Sequence, residues 1–275
     1  MKKKLLSLFA LLCLVLPACI GLVGCGEEKA PAKTDAEILS TAYGQVVTSI
    51  TDFQAQTTTT TSARSATDST TTDTVFYDVA SFDNSRGYLS VGIVAVMQQI
   101  YSNEDIVSVI NNLKAPLKVE CSYLSTGKYT DMSGLSGLTI YSTIDKTNNK
   151  IMGYCTFGYG ESSDSMFLAL EINYNFTKNE IVSFQGYLGP SGETTNTFFV
   201  LKYSNSKFEM ANISSQTTYT DGSNAQTEAN ALTQSFNQFY STFSAMTTTT
   251  LPGDFSQLFT TAIDAVCDAL ISQEE

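Results

Sequence analysis

The chain has 275 residues, a net charge of −12, no histidine and no tryptophan. That charge repels nucleic acid and anionic lipid headgroups, so neither is expected as a ligand. The missing histidine excludes Ser-His-Asp and Cys-His catalysis and His-ligated zinc, and leaves carboxylate pairs, Ser-Lys chemistry and oxygen-ligated calcium open.

The N-terminus reads Met1-Lys2-Lys3-Lys4, then an apolar run from Leu5 to Leu16, then Pro17. Lysines ahead of an apolar stretch are the charged and hydrophobic regions of an export signal. The segment closes in Leu22-Val23-Gly24-Cys25, followed by Gly26-Glu27-Glu28-Lys29. These residues resemble the lipobox of bacterial lipoprotein precursors: an apolar residue, two smaller ones, then cysteine. The resemblance covers about the first 30 residues.

It implies a diacylglyceryl group on the Cys25 thiol, cleavage between Gly24 and Cys25, and a mature protein on the extracytoplasmic side of the cell membrane. One acyl chain binds marginally at about 0.8 kcal/mol per methylene, so two or three chains make a stable anchor. Cleavage would remove three lysines and no acid, taking the net charge from −12 to −15. The same stretch also admits a membrane-spanning anchor, an ordinary secretory signal, or lipid on Cys19.

Residues 25–34 read as a tether and 35–275 as a single domain. A helix is expected from Asp35, where Leu39, Ala42, Tyr43, Val46, Ile50 and Phe53 recur at helical steps. Thr57 to Thr74 holds almost no large apolar residue and reads as a flexible or disordered loop. Leu89, Ile93, Val96, Met97, Ile100 and Tyr101 mark a second helix. Ser102 and Asp105 form a capping-box-like start for a third, carrying Ile106, Val109, Ile110 and Leu113.

From Leu117 to Ile213 the period changes to two. Strands are expected over 117–125, 137–145, 150–160, 165–176, 180–189, 196–204 and 206–214, separated by turn residues such as Asp145 to Asn149. Short turns make the neighbours antiparallel. Two amphipathic helices follow, one with Leu232, Phe236, Phe239, Tyr240, Phe243 and Met246. The second carries Phe255, Leu258, Phe259, Ala262, Ile263, Val266 and Leu270. The expected fold is α+β: an antiparallel meander of six or seven strands packed with N- and C-terminal amphipathic helices, laid most simply over one face.

Motifs for chemistry are weak. Ser125-Thr126-Gly127-Lys128 matches the S-x-x-K nucleophile pattern, but between strands rather than at a helix start; Ser204-Asn205-Ser206-Lys207 matches it in a hairpin turn. Glu161 and Asp164 flank a hairpin tip, and Asp221-Gly222-Ser223-Asn224 is an incomplete calcium loop. Beyond the signal only Cys25, Cys121, Cys155 and Cys267 remain, so with lipid on Cys25 at most one disulfide forms; Cys267 reads as a buried, inert thiol.

The aromatic load of the strands carries the most weight. Tyr154, Phe157, Tyr159, Phe167 and Phe199 are the candidate ligand surface, unless helices cover both faces of the sheet. The function expected is a non-enzymatic, membrane-anchored binding or interaction module of the cell envelope. Its partners would be the membrane through the lipid and a protein or apolar small molecule, with no cofactor and no metal. Its rivals are a carrier of an apolar ligand and a carboxylate-dependent extracytoplasmic hydrolase.

Overall fold

The computed structural model describes residues 33–61, 85–110, 115–123, 134–159, 165–190, 199–205, 207–212, 241–243, 245–251 and 255–271, with scattered positions between 129 and 132 and between 227 and 238. The residues expected to form a signal and a lipobox, including Gly24 and Cys25, lie outside the described residues. Thr34 opens the folded unit.

Alternation of apolar and polar residues builds the sheet. β1 (Leu117–Ser122), β2 (Ser136–Asp145), β3 (Lys150–Gly158), β4 (Ser165–Asn175), β5 (Glu180–Pro190), β6 (Phe199–Ser204) and β7 (Lys207–Asn212) form an antiparallel meander. The seven strands expected from the period-two pattern are these. An eighth, the two-residue β8 (Thr249–Thr250), runs parallel to the outer edge of β1. Order across the sheet is therefore β7-β6-β5-β4-β3-β2-β1-β8.

Three turns at one end of the sheet fix its register. Asp145 Oδ1 accepts hydrogen bonds from the Thr147 and Asn148 amides at 3.0 Å, and Asn175 Oδ1 does the same for Thr177 and Lys178 at 3.1 Å. Each turn then bends through an asparagine in the left-handed region: Asn149, Asn179 and Asn205, with φ of 54°, 55° and 52°. Asparagine tolerates that conformation better than other non-glycine residues, so these sequences select tight hairpins. Hydrogen bonds from the Asn148 side chain and backbone hold the Asp145 carboxyl below its ordinary range.

Helices α1 (Asp35–Thr61), α2 (Ser85–Ser102), α3 (Glu104–Val109) and α4 (Ser256–Ile271) complete the described elements that have continuous bounds. A capping box starts α1: the Thr34 amide donates to Glu37 Oε2 at 2.6 Å and the Glu37 amide to Thr34 Oγ1 at 3.2 Å. α1 runs on through Thr61, five residues into the stretch that composition assigns to a loop. Threonine costs a helix only a fraction of a kcal/mol (~0.5) per residue, and a helix already anchored by packing carries that.

α2 is buried on nearly every side from Leu89 to Met97, including Ser90. The cause is its position: α1 and α4 flank it and the sheet lies beneath. A Cβ at Gly92 would stand 2.8 Å from Ile263 of α4, so the two helices meet where α2 has no side chain. α3 is capped by Asn103, whose side chain accepts from the Ile106 amide at 3.1 Å. Ser102, the residue expected to cap it, is engaged elsewhere: its hydroxyl donates to the Gln98 carbonyl and lies 2.5 Å from the Ser40 hydroxyl.

The two C-terminal helical stretches do not share a face. α4 joins α1 and α2 on the large core, through Phe259, Ile263, Val266 and Cys267. Phe243, in the helical stretch between 227 and 243, packs on the opposite face against Tyr141, Tyr154 and Phe167. Between them the chain rounds the sheet edge at β8, where the Thr249 amide donates to the Pro116 carbonyl and the Leu251 amide to that of Lys118. Both faces thus carry apolar cover.

Candidate functional site

Strand register sorts the second face, the one away from α1, α2 and α4, into cross-strand rows. Directly paired residues point to the same side of a sheet. Tyr141, Tyr154, Ala169 and Tyr187 make one row across β2 to β5. Thr139, Thr156, Phe167 and Gly189 make the row on one side of it. On the other side run Thr143, Met152, Glu171, Gln185 and Lys202, and beyond them Asp145, Lys150, Asn173, Ser183 and Ser204.

The rows differ in burial. Tyr141, Tyr154, Phe167, Ala169 and Tyr187 are buried, and Phe243 meets Tyr141 edge-on at 5.9 Å. Burial, and then Glu171, push the Tyr154 phenol up to about 12. The two polar rows are half-exposed over β3 to β6. Their side chains bind one another: Lys150 Nζ to Glu171 Oε1 at 3.1 Å, Asn173 Nδ2 to Ser183 Oγ at 2.7 Å, and the Tyr187 phenol to Gln185 Oε1 at 3.2 Å.

The aromatic candidates do not converge. Tyr154 and Phe167 lie on the second face. Phe157 is buried in the large core on the helix face, and Tyr159 packs against that core. Phe199 stands on β6 in register with Leu188. The reason is parity, since 154 and 157 sit an odd number of residues apart on one strand. The polar rows were missed because their members come from five strands, and only register shows that they are neighbours.

The helix face holds the most perturbed groups. The Tyr43 and Ser142 hydroxyls meet at 2.7 Å in full burial, which raises the Tyr43 phenol well above its usual range. Tyr123 donates to Asp264 Oδ1 at 2.5 Å and Tyr129 donates to Asp268. Burial first, and then the facing carboxylate, raise both phenols far above 10. The acids stand one turn apart on α4, so the pairs latch the segment after β1 onto that helix. Two acids serving general acid–base chemistry need a proton that can leave; these accept protons already held by phenols.

Cys121, Cys155 and Cys267 form no disulfide, and Cys155 and Cys267 are fully buried. Burial raises the Cys155 thiol well above its ordinary range. Ser204 to Lys207 is a tight hairpin connection between β6 and β7. Ser125 to Lys128, Glu161, Asp164 and Asp221 to Asn224 lie outside the described residues. Among the described residues no group of three or more acids and cysteines could hold a metal, and no helix is long and apolar enough to cross a membrane. Comparison of the chain with protein-family models, with curated proteins and with solved structures gives no match.

Proposed function

We propose that this chain is a lipoprotein of the bacterial cell envelope, anchored through fatty chains on Cys25. Its folded body acts outside the cytoplasm as a non-enzymatic binding module. One observation carries the anchor: three lysines, an apolar run and Leu22-Val23-Gly24-Cys25, in that order. The folded unit begins at Thr34, so residues 26–33 between anchor and fold span at most about 30 Å when extended.

Among the described residues, the use of three acids as structural partners supports binding over hydrolysis. Asp264 and Asp268 are occupied by phenols, and Glu171 by Lys150. Metabolic labelling with an alkyne fatty acid, followed by intact mass, tests the anchor. The expected product starts at Cys25 and carries diacylglyceryl, and Cys25→Ser abolishes the label. An unmodified thiol at position 25, or a retained leader, refutes it.

A further inference from the structure

The half-exposed polar rows of the second face have a composition unlike the rest of this acidic chain. Asp145, Lys150, Glu171 and Lys202 supply two charges of each sign, so the strip is neutral while the whole chain is at −12. Between those charges stand Asn173, Ser183 and Gln185, side by side on β4 and β5. The strip crosses β2 to β6, about 20 Å at the usual strand spacing.

Each of the three central side chains is held by one neighbour and keeps capacity to spare. Asn173 donates one amide hydrogen to Ser183, which leaves its carbonyl oxygen open. Ser183 accepts that bond and retains its hydroxyl proton. Gln185 accepts from Tyr187 and retains both amide hydrogens. An acceptor, a single donor and a double donor, already oriented by their neighbours, therefore face outward from a rigid sheet. Fixing such groups before the ligand arrives reduces the ordering cost of binding.

We propose that this strip binds a neutral polyhydroxylated chain, an oligosaccharide of the envelope. The proposal rests on the binding-module reading and names its ligand class. Adjacent hydroxyls on a sugar both donate and accept, which matches the alternation across Asn173, Ser183 and Gln185. A nucleic acid or anionic lipid needs a surplus of positive charge that the strip lacks. An apolar ligand would leave these amides unpaired.

The test uses the full chain, purified in detergent, with chitohexaose and cellohexaose as probes in calorimetric titrations. Saturable binding of at least one is expected, equal at about 0.05 M and about 0.5 M NaCl because no ion pair forms. The double variant N173A/Q185A should weaken it about tenfold or more while remaining folded by circular dichroism, and N173A alone, which leaves the Tyr187–Gln185 bond in place, should weaken it with an unchanged melting temperature. Gln185→Glu, which keeps size and replaces both donors with acceptors, should weaken it as well.

No binding of either sugar, binding that these variants leave intact, or binding that salt abolishes would overturn the assignment. Intact mass of the same preparation reports the lipid on Cys25 separately. A lipidated chain inert to both sugars sinks the glycan assignment alone. A bare Cys25 sinks the anchor and leaves the sugar result standing.

Discussion

The hydroxyls of Tyr43 on α1 and Ser142 on β2 lie 2.7 Å apart, 99 residues apart in the chain and fully enclosed. The ring of Tyr101, on α2, lies 6.0 Å from that of Tyr43. Ser142 thus satisfies the Tyr43 phenol and ties α1 to β2, with Tyr101 of α2 packed beside the pair. Room for this comes from Gly153 on the neighbouring strand, where a Cβ would stand 2.6 Å from the Tyr43 oxygen.

Ser142→Ala should therefore cost about 1–3 kcal/mol in urea unfolding, because it leaves the buried Tyr43 phenol without this partner. Gly153→Ala should cost about 1–3 kcal/mol by overpacking against Tyr43 and Met97. Wild-type stability in both variants would show that α1 is not seated on the sheet by this contact.

Alkaline pH should unfold the domain cooperatively. Tyr43 and Tyr101 ionise more reluctantly folded than unfolded, because burial disfavours the phenolate; for Tyr101 the folded value is about 12. A raised folded value means this contribution is whole below the unfolded pKa and is lost as pH climbs through the folded one. Each of the two should remove about 1.4 kcal/mol per pH unit above about pH 10. With no histidine in the chain, stability should change little between about pH 6 and pH 9. Tyrosinate absorbance should rise in step with loss of circular dichroism. Reversible ionisation of all tyrosines near pH 10 in a still-folded protein would contradict this placement.

Tyr174 stands apart from those phenols. Its hydroxyl is buried with no hydrogen-bond partner, while its ring meets Phe176 edge-on at 5.1 Å. Desolvation alone pushes it up to about 12. Tyr174→Phe keeps the ring contacts and removes the orphan, so stability should stay level or rise by up to about 1 kcal/mol. A loss of more than about 1 kcal/mol would mean the hydroxyl has a partner, an enclosed water being the simplest.

Much of this fold is legible in the sequence because its signals are local. Period-two alternation from Leu117 onward and Asn-containing turns mark the seven long strands to within a few residues. The helix from Asp35 is likewise read from its apolar spacing, whereas its Thr34–Glu37 cap emerges only from the structure. What was not legible is non-local. Nothing in the last two helical stretches says that one packs on Tyr141 and the other on Gly92. That division depends on β8 turning the chain around the edge of β1. The polar strip is hidden for the same reason: Asn173, Ser183 and Gln185 read singly as solvated strand residues and become neighbours only through register.

Phe243 should be the hinge point between two cores of unequal size. It is buried against Tyr141, Tyr154 and Phe167 in a cluster separate from the large helix-side core. Separate clusters open separately when their contacts are few, and a buried Phe→Ala change costs about 3 kcal/mol or more. Phe243→Ala should accelerate amide exchange over residues 241–251, where the Met246 amide bonds the Phe243 carbonyl and the Thr249 amide bonds Pro116. Amides of α2 and α4, enclosed by the other core, should keep their protection. Equal loss of protection across α2 and α4 would mean that the two faces form one cooperative unit, with Phe243 as much a part of the main core as Ile263.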